Sequence, residues 1–214
     1  MTKIIGSLIV SYLIGAIPTA FLLGKIFKRI DIRKLGSGNV GATNAFRVLG
    51  KPMGISVLIF DIFKGFFVTT YLTSFVKPLN ISQGALSLIL GLTAIAGHNW
   101  TVFLKFKGGK GIATSLGVLF GLTIYFSNLW WVVLISFLIW LMLFLGFGYV
   151  SLASIICAFI LPILIFSFIN SNSLLLFSII ASIFAIVRHK SNIIRLLQHK
   201  EHKAKFPWVR GERF

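Results

Sequence analysis

The chain has 214 residues, 57% of them hydrophobic and 12% charged, with a mean hydropathy of +0.96. A soluble domain carries roughly 25% charged residues, so this chain cannot clothe a water-facing surface, and its hydrophobicity equally excludes disorder. The net charge of +17, from 21 Lys and Arg against Asp31, Asp61, Glu201 and Glu212, points in a membrane protein to topology and to anionic lipids or phosphorylated substrates, not to nucleic acid.

A membrane span needs about 20 apolar residues. The first such run covers residues 4–24 and is closed by Lys25; the second covers 53–76 and the third 81–104. Two longer blocks follow, 112–148 and 149–187, each nearly twice the length of a span. The first is broken at Ser127-Asn128 and the second at 170–173, which predicts two helical hairpins with short polar turns. The expectation is an all-α integral membrane protein with seven transmembrane helices in a single polytopic domain, 1–214. Residues 16–20 look superficially like a signal-peptide cleavage region, but the apolar run continues through Phe21, Leu22 and Leu23, so span 1 is expected to stay. No internal repeat gives the signature of a secondary transporter. The single Cys157 permits no intramolecular disulfide.

Charge placement orients the spans. Lys25, Lys28, Arg29, Arg33, Lys34, Arg47 and Lys51 lie between spans 1 and 2, and Lys105, Lys107 and Lys110 between spans 3 and 4. After span 7 come Arg188, Lys190, Arg195, Lys200, Lys203, Lys205, Arg210 and Arg213. Only Lys3 and Lys77 fall on the opposite side, with Lys64 inside span 2. The positive-inside rule then predicts the N-terminus outside and the C-terminus in the cytoplasm.

The polar sequence on the predicted cytoplasmic side is concentrated in three motif loops, near 25–52, 97–111 and 188–214. Gly36-Ser37-Gly38-Asn39-Val40-Gly41 fits the dinucleotide-binding pattern G-x-G-x-x-G, with Asp61 lying 20 residues further on. That motif requires a strand before it and a βαβ unit around it, and here a membrane helix precedes it. Lys107-Gly108-Gly109-Lys110-Gly111 lacks the spaced first glycine and the Ser/Thr of a P-loop. The physics survives both rejections: glycine lets backbone N–H groups approach an anion. With span 4 starting near Ile112, Gly108, Gly109 and Gly111 lie at a helix N-terminus that favours phosphate. Lys110 adds a point charge there and Arg47 a bidentate fork.

Asp61 and Lys64 share a face of span 2 and read as a structural ion pair, since no cytoplasmic motif adjoins them in sequence. His189 follows the end of span 7 and shares a helix face with Asn192 if the helix continues; His98 lies near the inner end of span 3 beside Asn99. His199 and His202 fall in the basic tail and are expected to take no part. No metal site is expected: there is no Cys cluster, no H-x-x-x-H, and no carboxylate adjoining His98 or His189 in sequence.

Taken together, Gly36 to Asn44 with Arg47, Gly97-His98-Asn99-Trp100 through Gly111, and Arg188-His189, Asn192, Arg195 and Glu201 resemble the bacterial acyl-phosphate:glycerol-3-phosphate acyltransferase family. Asp61, Lys64 and Gly65 fit the same pattern. Thr101 stands where the family usually has proline, and His199 where it usually has glycine. The resemblance implies an enzyme of the bacterial cytoplasmic (inner) membrane that faces the cytoplasm. It would acylate the 1-position of glycerol 3-phosphate from a fatty acyl phosphate, yielding lysophosphatidic acid, without coenzyme A or metal. It also implies a link to the soluble phosphate acyltransferase that makes acyl phosphate.

Under that reading Arg47, Lys110, Gly108, Gly109 and Gly111 take the phosphates. Ser37, Asn39 and Asn192 orient substrate, and Asn44 and His98 complete the binding set. His189 is the candidate base, with the departing phosphate as the alternative. A covalent Ser37 intermediate lacks a base partner, and Glu201 is expected to pair with nearby basic residues. The competing class is a transporter for a small phosphorylated anion; it needs polar groups at the bilayer midplane, and residues 112–187 carry no charge.

Overall fold

The computed structural model describes residues 2–76 and 81–204, and every regular element among them is helical. Lys77, placed outside by the charge pattern, and Lys205, Arg210 and Arg213 of the basic tail lie outside the described residues, as does Glu212. The helices are α1 (Thr2–Ala16), α2 (Thr19–Lys28), α3 (Ala42–Val48), α4 (Lys51–Phe67), α5 (Thr73–Phe75), α6 (Gln83–Asn99), α7 (Ile112–Leu122), α8 (Leu129–Phe147), α9 (Val150–Phe168), α10 (Asn172–Arg188) and α11 (Lys190–Leu197). A π-helical turn at Val68–Leu72 joins α4 to α5.

Four helical stretches are long and apolar enough to cross a bilayer: Lys51–Phe75, Gln83–Leu104, Leu129–Phe147 and Val150–Phe168. Two bent pairs, α1 with α2 at 45° and α10 with α11 at 59°, bring the number to six. The expected fourth span is short. α7 has 11 residues, about 16 Å of helix, roughly half the hydrocarbon thickness. The apolar block 112–148 does break near Ser127-Asn128, but the break begins earlier. The N–H groups of Thr123, Ile124 and Tyr125 bond three residues back, tightening the chain into a turn that α8 follows at Leu129. Uniformly apolar sequence carries no mark of where a helix must stop, so the pattern overstated its length.

Pro18 breaks the first span because it has no N–H to donate and disfavours helix in the residue before it. In lipid the carbonyls near such a break need partners. The Thr101 hydroxyl donates to Ala16 O at 2.6 Å, and the Lys64 ammonium to Ile17 O at 3.2 Å. Thr101 thus closes a gap in another helix. α1 packs along α6 and α4 along α7, each at close range. Gly15 lies on the Ala94 backbone, and Gly65 and Gly117 let α4 and α7 meet backbone to backbone; small residues make such approaches possible. The opposite half is apolar: Leu122, Leu129, Val132, Leu161, Ile165, Leu174 and Phe177 belong to one buried cluster.

Candidate active site

The first loop is folded, not a slack connector. Ile32, Val40, Ala45, Leu49 and Leu104 pack in one buried cluster with Ala20 and Val57. Gly36 and Gly38 adopt left-handed backbone (φ +59° and +70°) to turn the chain. Asn44, 1% exposed, holds that turn together. Its amide donates to Ile32 O, Leu35 O and Asn39 O at 3.0–3.3 Å and accepts the Ser37 N–H at 2.9 Å. With both ends of its amide engaged, Asn44 organises the loop and has no donor left for a substrate phosphate, which revises its expected role.

The second loop lies between α6 and α7. The Gly109 N–H donates to His98 O at 3.0 Å. From the other side Arg188, the last residue of α10, donates from Nη2 to Gly108 O at 2.7 Å and from Nε to Gly109 O at 3.0 Å. Gly111, with φ +79°, caps α7, which starts at Ile112 as the sequence indicated. The third cluster follows a bend: α10 ends at Arg188, His189 is the joint, and α11 leaves at 59°. His189 and Asn192 therefore do not share one face of a continuous helix; instead Asn192 N–H donates to His189 O across the joint at 2.8 Å.

These three loops, distant in sequence, surround one cavity of about 200 Å³. It is lined by Ser37, Gly38 and Asn39 from the first, by Lys107, Gly108 and Lys110 from the second, and by Arg188, Ser191, Asn192 and Arg195 from the third. Five expected site residues are thus brought together: Ser37, Asn39, Gly108, Lys110 and Asn192. Arg47 stays outside the lining, on the exposed side of α3, yet its charge acts on Lys110. Gly109 and Gly111 shape the turn behind the lining.

Glu201 organises the third side as expected, pairing with a basic neighbour. Its carboxylate accepts from Arg195 Nε at 2.8 Å, Asn192 Nδ2 at 2.7 Å and Ser151 Oγ at 3.0 Å. Burial alone would raise its pKa; the hydrogen bonds from Arg195, Asn192 and Ser151 outweigh that and hold it below the usual carboxylate range. With its amide nitrogen engaged, Asn192 keeps a buried Oδ1 that has no hydrogen-bond partner among the described residues. Burial foremost, with Arg195, Arg47 and Arg188 adding to it, draws the Lys110 amine down to about 8 against the opposing pull of Glu201.

His189 is 2% exposed and does not line the cavity. Its Nδ1 lies 2.7 Å from Ala185 O, which only accepts, so Nδ1 carries the proton and Nε2 is the free base. Burial, followed by the charge of Lys110, pushes its pKa down to about 4.

His98 also lies away from the cavity lining. Lys64 Nζ donates to its Nδ1 at 2.7 Å and to Asp61 Oδ1 at 2.9 Å, and the Thr19 hydroxyl donates to Asp61 Oδ1 at 3.1 Å. The Asp61–Lys64 ion pair read from sequence is present, but a residue of the second motif joins it. Among the described residues no group of three or more His, Cys, Asp and Glu gathers to hold a metal ion. Sequence reasoning left Lys107, Arg188, Ser191 and Arg195 unassigned; their place in the motif clusters was the available signal, but their direction depends on the bend at His189 and on the 108–111 turn.

The fold and the cavity define a class: an all-helical integral membrane protein carrying a compact cationic site built from three loop clusters at one end of its bundle. The chain belongs to the glycerol-3-phosphate acyltransferase family, whose model matches residues 5–199. It is 45% identical over 200 residues to a glycerol-3-phosphate acyltransferase of Fusobacterium nucleatum subsp. nucleatum, covering 93% of this chain and 97% of the relative. It is also 45% identical over 209 residues to one from Staphylococcus aureus, covering 95% and 98%. Among solved structures it is similar to PlsY (YgiH), an integral membrane glycerol 3-phosphate acyltransferase. The glycerol 3-phosphate form of that protein gives a TM-score of 0.82 at 39% identity, covering 94% of this chain and 96% of the other. The lysophosphatidic acid form gives 0.79 at 38% identity, covering 94% and 95%.

Proposed function

We propose that this protein transfers a fatty acyl group from acyl phosphate to the 1-position of glycerol 3-phosphate, releasing lysophosphatidic acid and inorganic phosphate in phospholipid synthesis. The observation that carries this reading is the single cavity at which three motif loops meet, lined by Lys107, Lys110, Arg188 and Arg195 with Glu201 behind them. An excess of cations suits a site that must hold two phosphate-bearing substrates at once. Relatives named for glycerol 3-phosphate, and a neighbour with a lysophosphatidic acid form, support the acceptor and the product. The acyl-phosphate donor is supported by the motif resemblance.

An acyl phosphate is already activated, so catalysis requires two anions in register and stabilisation of developing charge. Lys110, the 108–111 backbone and Arg188 hold the phosphates, with Arg47 adding outer positive charge. Ser37, Asn39 and Asn192 orient the acceptor. The hydroxyl oxygen bonds to the acyl carbon, the bond from that carbon to the phosphate oxygen breaks, and the hydroxyl proton leaves on the departing phosphate. His189, buried behind the lining, positions the bend that presents Asn192; its Nε2 is the alternative acceptor.

The positive-inside pattern supports a cavity that faces the cytoplasm and an N-terminus outside. α7 acts as the short fourth of seven crossings: the turn before it lines the cavity, whereas Tyr125 and Phe126 after it approach Gly84 near the start of α6. The acyl phosphate then arrives from a soluble phosphate acyltransferase on the same side, and the acyl chain lies among the spans in membrane lipid.

The test uses protein in lipid with metal chelated, glycerol 3-phosphate, and either palmitoyl phosphate or palmitoyl-coenzyme A. Lysophosphatidic acid and phosphate formed together from the acyl phosphate alone are the expected result. Product only from the thioester overturns the donor, and no product from folded protein brings forward an anion transporter.

A further inference from the structure

The geometry points to a positioning role for Asp61, Lys64 and His98: from inside the helix bundle they set the 108–111 turn on which the proposed phosphate site depends. This inference rests on the functional reading above and adds to it residues with no place in the cavity lining.

All three side chains are buried, at 2%, 5% and 7% exposure. A buried ion pair is a weak source of stability, because desolvating two charges offsets much of their attraction. Its geometry here is unusually constrained. An ammonium has three N–H donors, and Lys64 directs them at Asp61 Oδ1 (2.9 Å), Ile17 O (3.2 Å) and His98 Nδ1 (2.7 Å). One side chain on α4 thereby ties the break between α1 and α2 to the end of α6. Because Nδ1 of His98 accepts, Nε2 carries the proton and the ring has one orientation.

That ring is the floor of the turn. A Cβ at position 109 would meet His98 Nε2, and one at position 108 would meet His98 O. The Gly109 N–H donates to the same carbonyl at 3.0 Å. Arg188 grips the Gly108 and Gly109 carbonyls from the opposite side. The two glycines are therefore held between His98 and Arg188, with Lys110 next along the chain. Any displacement of the His98 ring moves the backbone that carries Lys110.

The experiment compares wild type, His98→Ala, His98→Asn, Gly109→Ala and the double variant Gly109→Ala/His98→Ala. KM and kcat are measured for glycerol 3-phosphate and palmitoyl phosphate, and thermal unfolding in detergent reports folding. Wild-type turnover comes first; its absence sinks the functional reading itself. With turnover present, His98→Ala is expected to raise KM for at least one phosphorylated substrate on the order of tenfold, a misplacement effect, with a smaller change in kcat. His98→Asn keeps an acceptor near the Nδ1 position for Lys64 and is expected to recover most of that loss. Gly109→Ala is expected to raise KM by pressing on the ring, and removing the ring in the double variant to lower it again.

Folded His98→Ala with wild-type KM for both substrates overturns the inference. So does a double variant whose KM is the product of the two single effects. If His98→Ala fails to fold, Gly109→Ala against Gly109→Ala/His98→Asn decides by the same rule, since the smaller side chain relieves the same contact.

Discussion

At Asp61 one carboxylate meets one ammonium and a neutral imidazole, and every donor of Lys64 has a partner. At Glu201 one carboxylate stands behind four cations that line a cavity, and the buried Asn192 Oδ1 beside it has no partner among the described residues. Both clusters are built on a single acid in a chain that has very few. The first is electrically closed and lies among helices; the second carries surplus positive charge and lies where three loops meet. Closure is what buried charge within a membrane demands, whereas surplus charge lowers its own energy only when an anion arrives. The first arrangement suits a scaffold and the second suits an anion.

Breaking the closed cluster should give the largest effect. Lys64→Met leaves Asp61 buried without its counter-ion, at an expected cost of about 3–5 kcal/mol, read as a fall in the thermal unfolding midpoint in detergent. The double variant Asp61→Asn/Lys64→Met should regain much of that stability. A single variant as stable as wild type would mean that the pair is not closed.

Breaking the open cluster should act on turnover instead. Lys110→Ala is expected to lower kcat/KM by about 10²–10³, the range for losing one charge-stabilising donor, with little change in unfolding. Loss of stability without a matching loss of turnover would reverse the roles of the two clusters.

A pH series sharpens the difference. The Lys110 amine is drawn down to about 8, so it is charged below that pH and increasingly neutral above it. Anion affinity should therefore weaken as pH rises through 8, appearing as a rising KM for glycerol 3-phosphate. Lys110→Arg, which stays charged, should flatten the alkaline limb. An unchanged limb in that variant would assign the titration to another group.

The smallest expected effect concerns backbone. His199 adopts φ +54°, a left-handed conformation that costs a side-chain-bearing residue about 1–2 kcal/mol. His199→Gly should stabilise the tail that presents Glu201 by up to about 1 kcal/mol once the added unfolded-state entropy is subtracted. Destabilisation would mean that the imidazole has a partner of its own.

The two asparagines Asn44 and Asn192 show what a sequence can carry. Both stand in polar motif clusters, and both are chemically fit to hold a substrate. Only the folded loop reveals that Asn44 has engaged its whole amide with the backbone, while the carboxylate of Glu201 holds the amide nitrogen of Asn192 and leaves its buried oxygen without a partner among the described residues. His98 is similar: its neighbours in sequence belong to the second motif, but its ring joins an ion pair on another helix. The membrane class, the break in each long apolar block, the glycine turn before Ile112 and the basic motif loops were all legible, because composition, local turn chemistry and charge placement act over short stretches of chain.

What lay beyond the sequence follows from the solvent. In lipid an apolar run is satisfied anywhere along its length, so it fixes neither the end of α7 nor which helices touch. Those choices fall to backbone contacts at Gly15, Gly65 and Gly117, to hydroxyls and an ammonium that answer the break at Pro18, and to the bend at His189. All but the bend are contacts between residues far apart in the chain. The sequence by itself determined that this is a helical membrane protein with an anion-seeking basic face. The tertiary structure alone decided which of its polar residues line the cavity and which hold the cavity in place.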